Sequence, residues 1–281
     1  MSINKYLSHI PSFNNKKILV TGATAGIGLS LTKQLLNKNT HIVMLIRNVE
    51  KGEKVKKELL EQYPNALIDI VKYDQSDYES IDQAFLEIKE KHHDFYAFVA
   101  NAGILYPPKG KRSKQNNPLT IETNYLGLRR MMNYLLSSFN SKRYVLEGSV
   151  VAGTKIKRDT DIYSDKYSLF KQYNISKACV EALFYHYYTV NQDNEFLLTE
   201  PGITSSDIFR GFKQPIKSLG KAFVKIFSHS VNKASLTLLK TLLEESQNGD
   251  YIVPRGIFTF MGYPKKKSFP NKRKRDFLIN L

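Results

Sequence analysis

Apolar and polar positions follow two rhythms along the chain. Short runs dominated by apolar residues recur: "KKILVT" at 16–21, "HIVMLI" at 41–46, "ALIDIVKY" at 66–73, "FYAFVA" at 95–100, "RYVLEG" at 143–148, "EFLLTE" at 195–200 and "DYIV" at 250–253. Their length and their polar boundaries predict buried strands. Longer segments of helical period lie between them. "AGIGLSLTKQLLNK" carries apolar residues at 27, 31, 35 and 36, and "EKGEKVKKELLEQY" and "YESIDQAFLEIKEK" are amphipathic. Further helices are expected over about 119–139, over about 168–190 and at "KASLTLLKTLLEES". Strand-helix alternation throughout predicts an α/β fold, a doubly wound parallel sheet of about seven strands with right-handed crossovers and helices on both faces.

The rhythm does not reset, so a single domain is expected over 16–256, after an N-terminal extension at 1–15 and before a basic tail at 257–281. No apolar run reaches the roughly 20 residues of a membrane-spanning helix. The N-terminus shows no apolar core of a secretory signal. Cys179 is the only cysteine of the 281 residues, which excludes an intrachain disulfide and fits a cytoplasmic setting. The six histidines show no metal-ligand spacing, so no metal site is expected.

Lysine and arginine number 42 against 26 acidic residues, a net charge of +16. Seven of the basic residues fall in "PKKKSFPNKRKR" and four in "KGKRSK" at 109–114. Solvated surface is the plain reading of these clusters. Weak contact with an anionic surface, as at the periphery of a membrane, is the sharper one. Nucleic-acid contact would be electrostatic and nonspecific, because no recognition motif accompanies the charge.

The first strand runs directly into "TGATAGIG", with glycines at 22, 26 and 28. Glycines between a strand and a helix permit a tight turn and close approach of a pyrophosphate, which the helix N-terminus can hold. Two Tyr-x-x-x-Lys pairs occur in "YSLFKQYNISK": Tyr167 with Lys171, and Tyr173 with Lys177. On a helix either pair would place a phenol and an ammonium on one face, and the cation would favour the phenolate.

The Gly-x-x-x-Gly-x-Gly spacing resembles the short-chain dehydrogenase/reductase family. "NAG" at 101–103, "NYLG" at 124–127, "RYVLEGS", "YNISKACVEAL", "PGITSS" at 201–206 and "GDYIVPRG" extend the resemblance in the family's order over roughly residues 15–256. The fold so implied is of Rossmann type. The resemblance implies a catalytic set of Asn124, Ser149, Tyr173 and Lys177, and the "SKA" context selects Tyr173 over Tyr167. In the implied mechanism a hydride passes between nicotinamide and a carbonyl carbon, and Tyr173 exchanges the oxygen's proton. Lys177 lowers the phenol's pKa and holds the nicotinamide ribose, Ser149 binds the substrate oxygen, and Asn124 holds a water that leads to Lys177. Cofactor contacts are expected from Thr21, Gly22, Thr24, Gly26, Ile27, Gly28, Arg47, Asn48, Asp74, Gln75, Asn101, Ala102, Gly103, Tyr173, Lys177, Pro201, Gly202 and Ile203.

An NAD-binding Rossmann unit places an acidic residue about 20 positions beyond its glycines. Arg47 stands there instead and suits a 2′-phosphate, so NADP(H) is expected ahead of NAD(H). The long gap between Ser149 and Tyr173 and the "NYLG" segment resemble the retinol-dehydrogenase-like branch. Residues 204–230 are expected to form a substrate lid. Its apolar positions (Ile216, Leu219, Phe223, Ile226 and Phe227) favour a hydrophobic carbonyl or alcohol substrate, and Lys217, Lys221 and Lys225 form a basic stripe beside them. Two other functions stay open at this point: a catalytically silent nucleotide-binding regulator of the same fold, and a membrane-associated protein acting through its basic segments. A homodimer through the two long helices is neither favoured nor excluded.

Overall fold

The computed structural model describes residues 2–140, 142–152, 156, 160–204, 229–256 and 259–269. Eight strands form one sheet: β1 (Lys17–Thr21), β2 (His41–Ile46), β3 (Ile68–Lys72), β4 (Ala97–Ala100), β5 (Arg143–Glu147), β6 (Glu195–Thr199), β7 (Tyr251–Pro254) and β8 (Pro264–Lys267). Their order is β3-β2-β1-β4-β5-β6-β7-β8. The first seven are mutually parallel and β8 runs antiparallel to β7. The sheet therefore has one strand more than expected, and it comes from within the segment expected as tail. "PKKK" alternates too weakly to read as a strand. It pairs because β7 offers an unpaired edge, and Asp250 forms an ion pair with Lys266.

The helices are α1 (Ile3–Ser8), α2 (Gly26–Leu36), α3 (Val49–Gln62), α4 (Tyr78–Lys91), α5 (Leu119–Ile121), α6 (Gly127–Ser138), α7 (Leu169–Val190) and α8 (Val231–Thr241). α2, α3 and α8 cover one face of the sheet, where Leu31, Leu35, Val55, Leu236 and Leu239 meet Ile18, Val20, Val43's neighbour Met44, Val145 and Leu197. α4, α6 and α7 cover the other, burying Ile81, Ile88, Met131, Leu135, Ile175 and Phe184 against Leu19, Phe98, Tyr144 and Phe196. Strands buried on both sides explain the nearly continuous apolar runs. Arg143, 5% exposed, is an exception at the amino end of β5. It pairs with Glu195 at 2.7 Å and donates to the carbonyls of Thr241, Leu243 and Ser246, which ties the end of α8 to the sheet.

The helix expected over about 119–139 is interrupted. Residues Glu122–Leu126 form a π-helical turn between α5 and α6. A π turn inserts one residue into a helix and is often found at functional sites. Gly127 closes it where α6 passes the loop after β3, and a Cβ there would overlap the main-chain oxygen of Gln75. Gly52 in α3 is also crowded, but by the terminal methyl of Ile46, which can rotate away. Gly127→Ala should therefore cost about 1–3 kcal/mol in urea unfolding, the usual range for overpacking. Gly52→Ala should cost less, because helix propensity returns up to about 1 kcal/mol. Equal losses in the two variants would contradict the rigid contact at Gly127.

Candidate active site

The strand order reverses between β1 and β4, so the loops leaving their carboxyl ends diverge and leave a crevice between them. Thr21 at the end of β1 binds the two loops together. Its hydroxyl accepts the amides of Asn101 (3.0 Å) and Ala102 (2.8 Å), while Asn101 Nδ2 donates to the Thr21 carbonyl at 2.8 Å. Gly22 takes φ +68° and donates its amide to Leu45. A Cβ on Gly28 would lie 2.5 Å from both Asn101 Nδ2 and the Gly22 carbonyl oxygen. Thr24 and Ile27 are half-buried at the same turn, and Gly26 (φ +53°) faces open space. Ala25, at the N-cap of α2, supplies no capping side chain. The first amides of α2 are thus left for an anion, beside a glycine that admits close approach. This arrangement fits a pyrophosphate.

The expected nucleotide residues divide into two groups further along. Arg47 is exposed at the end of β2 and lines a surface hollow with Lys72, Asp74, Asp77 and Lys114. Lys114 is paired with Asp77 at 2.5 Å. Three others have local structural duties. Asn48 caps α3 by accepting the Lys51 amide at 2.8 Å. Asp74 Oδ1 accepts the amide and the hydroxyl of Ser76. Gln75 is buried and donates to the Thr123 carbonyl at 2.5 Å. Pro201, Gly202 and Ile203 follow β6. Gly202 has φ +78°, and a Cβ there would overlap the Phe260 carbonyl that receives the Ile203 amide.

The catalytic candidates converge on α7. Its N-cap is Ser168, whose hydroxyl accepts the Lys171 amide at 3.2 Å. Tyr167 therefore stands outside the helix, packed against the core, and does not form a helical pair with Lys171. Tyr173 and Lys177 lie within α7, one turn apart. Lys177 is 6% exposed, and its Nζ donates to the Glu147 carbonyl at 2.8 Å. Ser149 follows two residues later, half-buried. Asn174 fixes this loop through Nδ2, which donates to Val151 at 2.6 Å.

Asn124 sits in the π turn, 2% exposed. Its Oδ1 accepts the Ile104 amide, and its Nδ2 donates to the Ile104 carbonyl and to Ser176 Oγ. It thereby locks α7 to the loop after β4. Asn124 Oδ1 and Lys177 Nζ also border one small space, 3.2 and 3.9 Å from where a Cβ on Gly103 would project.

Several residues at the site carry no motif and were not expected from sequence. Burial, and after it the nearby Tyr173 phenol, raise the pKa of Tyr106. His229 binds the Pro-Gly turn through Nε2 and the Pro201 carbonyl at 2.6 Å, and burial lowers its pKa. Glu147 is the most unusual. Burial pushes its carboxyl up to about 7, against the pull of Lys177, and Oε2 has no hydrogen-bond partner among the described residues. The expected lid lies almost wholly outside the described residues, as do the last twelve residues of the basic tail.

The family model described as short chain dehydrogenase matches residues 16–210. The chain belongs to the short-chain dehydrogenase/reductase family, whose members are oxidoreductases that bind nicotinamide coenzymes. Among curated relatives it is 33% identical over 147 residues to the human 3-keto-steroid reductase/17-beta-hydroxysteroid dehydrogenase 7, covering 51% of this chain and 38% of that protein. Alignments with the first curated relatives span about a third to a half of their lengths. A solved structure from Mycobacterium paratuberculosis superposes with a TM-score of 0.73 at 19% identity, covering 97% of this chain and 92% of the other. An alcohol dehydrogenase of the archaeon Thermococcus sibiricus, complexed with 5-hydroxy-NADP, superposes with a TM-score of 0.56 at 22% identity, covering 75% and 90%. Both likenesses are likenesses of fold.

Glu147 is only half-buried as a residue, but its Oε2 is shut away from solvent, and the raised carboxyl gives stability a pH dependence. Its folded value of about 7 lies above the ordinary 4.5, so between these values the folded chain holds a proton that the unfolded chain has released. Stability must then fall as pH rises from about 4.5 to about 7, by at most about 3 kcal/mol. Glu147→Gln should remove its share of that fall, leaving what Glu200, also raised by burial, contributes, measured by urea unfolding at pH 5 and pH 8. A variant with the wild-type pH slope would contradict the burial.

Proposed function

We propose that the protein is an NADP(H)-dependent oxidoreductase that interconverts a carbonyl and an alcohol on a hydrophobic substrate, with Tyr173 as the acid/base. One observation carries this reading. Tyr173 and Lys177 stand one turn apart on α7, with the ammonium anchored to the end of β5, in a sheet whose carboxyl edge also presents the open glycine turn.

A nicotinamide coenzyme supplies hydride chemistry when bound. The chain supplies binding, orientation and proton handling. Gly22, Gly26, Gly28 and the amides opening α2 receive the pyrophosphate, with Thr21, Thr24, Ile27, Asn101, Ala102 and Gly103 shaping the crevice. Lys177 holds ribose hydroxyls and stands one helical turn from the Tyr173 phenol. Tyr173 then gives or takes the proton of the substrate oxygen, and Ser149 donates a hydrogen bond to that oxygen. Asn124 acts mainly by position, holding Ile104 and Ser176 around the lysine. Both of its Nδ2 protons are used, so a water between Asn124 and Lys177 would bind Oδ1 or the main chain, in the space beside Gly103.

Arg47 supports NADP(H) over NAD(H). No carboxylate occupies its position, and Lys72 borders the same hollow, adding a second cation for a 2′-phosphate. The NADP-type ligand in the T. sibiricus structure is in keeping with this choice. A hydrophobic substrate is favoured by exposed aromatic residues close in sequence to Tyr173, Phe170 (48% exposed) and Tyr163 (38%), and by the steroid named for the human relative. Among the described residues no helix is long and apolar enough to cross a membrane.

A panel of ketones and aldehydes followed by NADPH absorbance tests the reading. At least one apolar carbonyl should be reduced, and Tyr173→Phe should lower kcat by about 10²-fold or more, the scale of a lost general acid. Arg47→Ala should weaken NADPH about tenfold, the loss of one charge-assisted contact, while leaving NADH nearly unchanged. Retained turnover in Tyr173→Phe, or a wild-type preference for NADH, would overturn the corresponding assignment.

A further inference from the structure

Glu147 ends β5 in register with Thr199 of β6, and the preceding pair, Leu146 with Ala100, places Asn101 on its other side. Residues in register on parallel strands face the same way. Val145 and Leu197, two positions earlier, face α2 and α8. Glu147 and Thr199 therefore lie on the face of the sheet where the glycine turn and the N-terminus of α2 stand, at its carboxyl edge. Glu147 Oε2 and Thr199 Oγ1 are both buried without hydrogen-bond partners among the described residues. Other buried side-chain oxygens share this state, the Tyr73 and Tyr144 hydroxyls among them, but these two stand side by side in register at the carboxyl edge of the sheet, which points to a ligand that completes them.

We propose that Glu147 is a charge switch that sets the preference of the cleft between oxidised and reduced coenzyme. The inference rests on the coenzyme reading above. The oxidised nicotinamide ring carries a positive charge and the reduced ring carries none, while the rest of the molecule, including any 2′-phosphate, is common to both. A group that gains or loses charge near the ring changes the ratio of the two affinities. Lys177, bound to the carbonyl of Glu147 itself, brings a positive charge to this end of the cleft. Ionised Glu147 offsets that charge and favours the cationic ring, whereas protonated Glu147 leaves it uncompensated and favours the reduced form. The carboxyl titrates in the range that matters, since burial holds it near 7.

The other ionisable groups around it are committed elsewhere. On α7, Tyr173 and Lys177 belong to the proton-handling pair, and Glu181 lies against Gly148, one residue along and on the opposite face of the sheet. Glu200, beyond β6, bonds to Tyr251 of β7 and to Thr259, and burial raises its pKa. His229, ahead of α8, is held by Pro201. Asn101 and Thr21, from β4 and β1, carry no charge. Lys177 is the charged group whose field registers at Glu147.

The test is equilibrium binding of NADP⁺ and of NADPH to the full chain at pH 5.5, 7 and 8.5, in the wild type, Glu147→Gln and Glu147→Met. In the wild type, Kd(NADP⁺)/Kd(NADPH) should fall on the order of tenfold from pH 5.5 to pH 8.5, the effect of one charge about 10 Å away at an effective dielectric near 20. Both neutral variants should keep the acid-side ratio at every pH. A flat ratio in the wild type, or an unchanged slope in either variant that binds nucleotide, overturns the switch while leaving the coenzyme reading intact. Failure of the wild type to bind either nucleotide overturns both.

Discussion

The Thr21 hydroxyl is the point on which the site depends. It joins the end of β1 to the two residues that leave β4, at the one place where the order of the strands reverses. A parallel sheet wound in both directions must open there, and an opening without a cross-brace would leave unpaired amides at the carboxyl edge. One hydroxyl accepts the Ala102 amide and shares the Asn101 amide with the Val99 carbonyl, and the Asn101 side chain returns a bond to the Thr21 carbonyl. The brace sets Asn101 Nδ2 2.5 Å from where a Cβ on Gly28 would stand, level with the Gly22 carbonyl oxygen, and 3.0 Å from one on Gly22, whose φ of +68° disfavours a side chain as well. The glycine spacing thus follows from a packing constraint as much as from the need to admit a phosphate.

A second brace stands on the other side of the crevice. Asn124 joins α7 to the loop after β4, and Lys177 joins α7 to β5. Both bonds run between elements far apart in sequence, and they fix the turn of α7 that bears Tyr173. The π turn is the local expression of this constraint. With Asn124 committed to Ile104, the helix accommodates one extra residue before Gly127 packs against Gln75. The substrate lid expected at 204–230 lies almost wholly outside the described residues.

Most of the fold was legible in the sequence because its strands are buried on both faces and its helices are amphipathic, and each pattern has its own period. β8 was not legible: "PKKK" has no apolar alternation, and only the free edge of β7 makes it a strand. Helix α1 is short and buries no residue fully, so periodicity gave no signal for it. The glycines, Asn101, Asn124, Ser149, Tyr173 and Lys177 could be proposed because each stands in a motif of fixed spacing. Asn48, Asp74 and Gln75 were expected at the cofactor without a spacing motif of their own, and their side chains also cap a helix, close a turn and hold a loop. Glu147, Tyr106 and His229 carried no spacing signal. Their environment is made by neighbours at long sequence separation, and burial, which gives Glu147 its character, is a property of the folded chain.

The central claim is that one crevice at the reversal of the sheet holds a dinucleotide from the opening of α2 to the proton-handling turn of α7. A crystal structure of the chain grown with NADP⁺ tests it most directly. The account requires the pyrophosphate over the amides of Gly26 to Gly28, the adenosine phosphate at Arg47, and the nicotinamide ribose within hydrogen-bond reach of Lys177. A nucleotide bound elsewhere, or one whose nicotinamide end points away from Tyr173, would contradict it.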